Sequence, residues 1–86
     1  MFTIINTCIL GGFIIFNDEA DLLIKIGQNV QRLRKEEEIS QEALAAQCGI
    51  NRSYLSEIEN GKRNTTILNL HRIAVALDIN LEILIR

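Results

Sequence analysis

Few residues in this 86-residue chain carry reactive side chains, and their spacing excludes most chemistry. The single histidine, His71, has no cysteine or carboxylate at ligand spacing beside it, so it makes no metal site. Cys8 and Cys48 lie far apart and suggest neither a zinc site nor a disulfide framework; reduced thiols in a cytoplasm fit best. Cys48 reads as core. No nucleophile, base and orienting group occur in the pattern that catalysis requires, so no enzyme activity and no cofactor are expected. What remains is a crowd of hydrogen-bonding and cationic side chains: Arg52, Ser53, Tyr54, Ser56 and Glu57, then Lys62, Arg63 and Asn64, with Arg72 beyond. The formal net charge of −2 argues against a general polyanion binder. The acidic residues, however, gather at Asp18, Glu19 and Asp21 and at Glu36, Glu37 and Glu38, which leaves the later stretch locally cationic, opposed only by Glu57 and Glu59.

Side chains of this kind act only if a rigid element aims them. From Asp18 onward the apolar period is helical: Leu22, Leu23, Ile26, Val30 and Leu33 recur at spacings of three and four, which predicts a helix over 21–37. Its end, Glu36 to Glu38, opposes the macrodipole and is expected to fray. Ser40 is a good N-cap for a helix over 41–48, and Gly49 after it can take positive φ. Asn51 caps a third helix that stops at Asn60-Gly61. Thr66 starts a fourth, which runs to Leu77 with Ile67, Leu70, Ile73, Ala74 and Leu77 on one face, and a short fifth follows 78–80. Leu81, Leu84 and Ile85, with Ile83, are too clustered for one exposed turn and are expected to form a dimer interface.

The first sixteen residues are uncharged and apolar, but too short to span a membrane and without the basic leader of a secretory signal. Gly11-Gly12 between two β-branched runs predicts a hairpin. A lone hairpin is unstable in water, so the stretch is expected to cover this chain's helices or to pair with a second copy, with disorder as the third alternative. The chain thus divides into an apolar extension over 1–17 and a helical domain over 18–86.

The segment from Gln41 to Ile58 meets the demands of a helix-turn-helix. Leu44, Cys48, Ile50, Leu55 and Ile58 can pack between two short helices, Ala45 lets them approach, and Gly49 permits the tight turn. Taken in register with Leu33-Arg34, Ser40-Gln41, Leu44-Ala45, Gly49-Ile50, Leu55-Ser56, Ile58-Glu59, Gly61, Arg63, Leu70, Ile73-Ala74 and Ala76-Leu77, the chain resembles the phage-repressor and Cro-like (XRE-type) regulators over about residues 26–84. More narrowly, Arg52 to Glu57 and Lys62 to His71 resemble the controller proteins of restriction-modification systems.

The resemblance implies an all-α, five-helix repressor-like domain, here with an added N-terminal β-hairpin, that binds double-stranded operator DNA as a cytoplasmic homodimer and regulates transcription. It implies that Gln41 clamps a phosphate, that Arg52, Ser53 and Glu57 read bases, and that Tyr54, Ser56, Lys62, Arg63 and Asn64 meet backbone phosphates. Glu57 would either accept from cytosine or orient Arg52. Arg34 and Glu59 are implied to be a structural ion pair. The acidic run at Glu36 to Glu38 reads as a solvated helix end or a contact for RNA polymerase. Many relatives carry glycine where Glu38 stands and proline where Thr65 stands. A phage-type repressor, an antitoxin of a toxin pair, and a protein-interaction adaptor without DNA binding are the rival readings.

Overall fold

Glu19–Glu36 forms the first helix, α1, because Ile26 and Val30 recur toward the core with Leu22 and Leu33 beside them, while Glu19 and Asp21 open it and Arg34 and Lys35 close it in accord with the macrodipole. The computed structural model describes residues 9–10, 13–14 and 19–86. Ser40, Asn51 and Thr66 stand before α2 (Gln41–Cys48), α3 (Arg52–Glu59) and α4 (Ile67–Ala76). Each side chain accepts from the amide three residues on: Ala43 at 3.0 Å, Tyr54 at 2.7 Å and Asn69 at 3.1 Å. Each such bond satisfies an amide that the helix itself cannot.

All four helices stop in the same way. Glu38, Gly49, Gly61 and Asp78 take positive φ of 57°, 72°, 71° and 59°. The next residue then donates five residues back: Ile39 to Arg34 O at 3.1 Å, Ile50 to Ala45 O at 3.0 Å, Lys62 to Glu57 O at 2.9 Å and Ile79 to Ala74 O at 3.0 Å. These are Schellman closures, and the three isoleucines that make them pack partly on the core, as the motif favours. The fraying expected at the end of α1 is therefore corrected. Glu38 holds the left-handed conformation without being glycine, and the amide of Ile39 closes the turn.

The core gathers Val30, Leu44, Leu55, Ile58, Ile73 and Leu84, all sealed from solvent. α1 packs on α3, and α2 lies on both α3 and α4. Gly27 lets α1 close on α3: a methyl group there would collide with the main-chain carbonyls of Ile58 and Glu59. The expected fifth helix is instead a 3₁₀ turn, Leu81–Ile85, without a side-chain cap bond from Asn80. At five residues the element has the short length at which 3₁₀ geometry is used. Its carbonyls turn to α1, where the buried Asn29 Nδ2 donates to Leu84 O at 2.8 Å and Ile83 O at 3.4 Å.

Residues 19–86 thus form an all-helical domain of four α-helices and one 3₁₀ turn. In the extension, β1 (Ile9–Leu10) and β2 (Phe13–Ile14) pair antiparallel, with Ile9 opposite Ile14 and Leu10 opposite Phe13. The rest of the expected hairpin, and whatever it covers, lies outside the described residues.

Candidate nucleic-acid interface

α2 and α3 meet across Gly49-Ile50, so the apolar side of α3 is spent inward. Leu55 and Ile58 are sealed in the core, and Glu59 follows them to 5% exposure. A carboxylate so buried needs partners, since an unpaired buried charge is far costlier than a paired one. Two elements supply them. Arg34 of α1 donates from Nε to Oε2 at 2.6 Å and from Nη2 to Oε1 at 3.1 Å, and Gln41 of α2 donates from Nε2 to Oε1 at 3.0 Å. Arg34 Nη1 also reaches Ile39 O at 2.8 Å, which ties the same guanidinium to the turn before α2. No side-chain nitrogen or oxygen buried among the described residues lacks a partner. The network fixes the axial position and rotation of α3 against the two helices behind it.

The opposite side of α3 is open. Arg52, Ser53 and Glu57 are exposed, and Tyr54 and Ser56 are half-buried at its edges. The side chain of Arg52, in the first turn, has no hydrogen-bond or ion-pair partner among the described residues, and neither have the side chains of Lys62 and Asn64 in the loop after α3. Glu57 does not orient Arg52. Its Oε1 lies 3.4 Å from Arg63 Nε, an ion pair half open to solvent, and the Arg63 guanidinium also stacks 4.7 Å from the centre of the Tyr54 ring. Gln41 sits at the first residue of α2 with one amide hydrogen committed to Glu59, which leaves the other for an outside acceptor.

Sequence reasoning singled out the outward face of α3 but missed its supports. Gly27 and Asn29 read as unremarkable residues of α1, yet one admits α3 and the other pins the C-terminal turn. Leu84 is a correction: it is fully enclosed in this chain's own core and has no surface to offer a partner, whereas Leu81 is half-buried and Ile85 is 45% exposed. Burial pushes the Cys48 thiol above its usual range, with Arg72 pulling it partly back, which suits a neutral core residue. His71 is exposed on α4. Among the described residues no cluster of three or more histidine, cysteine or acidic side chains forms a metal site, and no helix is long and apolar enough to cross a membrane.

Two short helices locked at a fixed angle, the second with a polar face held outward, define a helix-turn-helix of the kind that enters the DNA major groove. The chain belongs to the helix-turn-helix family, whose model matches residues 30–84. It is 46% identical over 63 residues to the control protein C.MunI of a Mycoplasma species, covering 72% of this chain and 85% of that one. To the control protein C.BamHI of Bacillus amyloliquefaciens it is 37% identical over 60 residues, covering 69% and 74%. The crystal structure of the restriction-modification controller protein C.AhdI from Aeromonas hydrophila superposes with a TM-score of 0.70 at 42% identity, over 72% of this chain and 94% of that one. The chain is accordingly a DNA-binding transcription regulator similar to controller proteins, and the relatives named are not enzymes.

Proposed function

We propose that this regulator controls the operon of a restriction-modification system from the cytoplasm, binding a pseudo-palindromic operator as a homodimer. The observation that carries the reading is the outward face of α3, where Arg52 stands exposed and unpaired among the described residues while Glu59 anchors the helix from behind. Arg52 reads guanine through its O6 and N7, and Ser53 and Glu57 read neighbouring base edges. Gln41, Tyr54, Ser56, Lys62, Arg63 and Asn64 meet the sugar-phosphate backbone and set register. In the dimer the two recognition helices stand about 34 Å apart, one turn of duplex. Glu36, Glu37 and Glu38 stand exposed around the end of α1 and are the surface offered to RNA polymerase.

The test is selection from random duplexes by gel shift, repeated over a salt series. A single enriched palindrome is expected. Arg52→Ala should relax the choice at one position per half-site and cost about 1–3 kcal/mol on the selected sequence, whereas Gln41→Ala should weaken every sequence alike. Equal behaviour of the two variants overturns the division of roles. A chain that enriches and retains nothing at low salt is instead a protein-interaction adaptor, the reading its net acidity would support.

A further inference from the structure

Between the recognition helix and α4 lies a side-chain cluster with no role so far. Tyr54 Oη is 2.8 Å from Thr65 Oγ1, and Asn69 Nδ2 reaches both oxygens, at 3.2 and 3.3 Å. The amide is oriented by its other end. Asn69 Oδ1 lies 3.3 Å from Arg72 Nη1, and a guanidinium can only donate, so the atom facing it must be the oxygen. Asn69 is itself fixed in place, half-buried in the first turn of α4 with its main-chain amide bonded to Thr66 Oγ1.

The protons of this triangle can be counted. The Asn69 amide carries two hydrogens, and the two hydroxyl oxygens accept one each. Neither hydroxyl can donate to that amide nitrogen, so of their two protons one bridges the pair and the other is left over. The bridging proton can come from either hydroxyl; an anionic acceptor arriving at the edge of α3 selects the arrangement in which Thr65 donates to Tyr54 and the spare proton is on Tyr54 Oη. The same contacts fix the tilt of the aromatic ring on which Arg63 stacks.

We infer that Asn69 is a positioning residue for DNA binding: from α4 it holds Tyr54 so that the phenol presents a donor, and its ring presents Arg63, to adjacent phosphates. The inference rests on the reading that this face meets DNA, and it extends the binding machinery to a helix that does not itself enter the groove. A guanidinium restrained by stacking gives up less freedom when it grips a phosphate than a free one does. Reversal of the amide's hydrogen-bonding sense makes the point sharply. A carboxylate at position 69 would accept from both hydroxyls, consume the spare proton and set a negative charge beside the phosphate.

Tyr54 is the only tyrosine and the chain has no tryptophan, so its emission reports the phenol alone. The experiment measures that emission in the free full-length protein, its thermal midpoint, and its affinity for the selected operator in the wild type, Asn69→Ala, Asn69→Asp, Tyr54→Phe, Asn69→Ala/Tyr54→Phe and Arg63→Ala. Asn69→Ala should change the tyrosine emission and weaken binding about 3- to 10-fold with the midpoint nearly unmoved. Asn69→Asp should weaken it further, and the double variant should lose no more than the larger of its two singles, because both remove one interaction. Unchanged affinity in Asn69→Ala, or additive losses in the double variant, overturns the inference while Arg63→Ala still weakens binding. If Arg63→Ala has no effect, the reading of this face as the DNA surface fails instead.

Discussion

Glu59 and Glu36 are both paired with arginine, and only their surroundings separate them. Glu36 meets Arg32 at 3.3 Å with both side chains more than half exposed, where solvent screening leaves such a pair about 0–1 kcal/mol. Glu59 is enclosed, and its removal would leave Arg34, 8% exposed, as a buried charge without its carboxylate. Glu59→Ala is therefore expected to lower unfolding free energy by about 3–5 kcal/mol in urea titrations. Glu36→Ala should fall within about 0.5 kcal/mol of the wild type. A Glu59 variant no less stable than the Glu36 variant would show that the network is not what holds α3. Sequence similarity made the Arg34–Glu59 pair foreseeable; that Gln41 is the third member was not, because a glutamine at a helix start gives no sign of which way its amide turns.

At the scale of elements, two of the four helix stops are built on residues poorly suited to them. Glu38 and Asp78 adopt left-handed backbone at a cost that glycine avoids, and each sets a carboxylate at the negative end of a helix dipole. Glu38→Gly and Asp78→Gly should each stabilise the protein by about 1 kcal/mol, since strain and repulsion relieved outweigh the added freedom of glycine in the unfolded chain. The two sites belong to different turns, so the gains should add, and a rise in thermal midpoint for each and for the pair is the measurement. Destabilisation by either glycine would mean the side chain makes a compensating contact. Helix starts were legible because Ser40, Asn51 and Thr66 cap by a local bond written within three residues. Stops were legible only at glycine. An acidic residue taking the same conformation carries no local signal, and neither does Asn29, whose acceptors lie more than fifty residues away.

For the whole molecule, the proposed homodimer raises the question of which surface joins two copies. Ile67, Leu68, Val75 and Ile85 are large apolar side chains 45–67% exposed on α4 and the 3₁₀ turn, and Val75, Ile79 and Ile83 line a common groove there. None of the residues lining that groove belongs to α3. Val75→Glu, at a position 62% exposed, should fold normally yet sediment as a monomer and bind its operator more weakly. Removal of residues 1–16 should leave the dimer intact. The opposite pair of results would assign the interface to the extension, whose apolar run was plain in sequence but whose packing lies outside the described residues.

The division of α3 into two faces has a further consequence for how such a protein can change over time. Ser53 and Arg52 touch nothing that the core depends on, whereas Leu55, Ile58 and Glu59 touch little else. Substitutions on the outer face cost within about 0.5 kcal/mol of stability, so they can accumulate without threatening folding. With that face reading bases as proposed, a lineage can acquire a new operator by drift at two or three codons and diverge from its neighbours in regulatory address while the scaffold beneath stays the same.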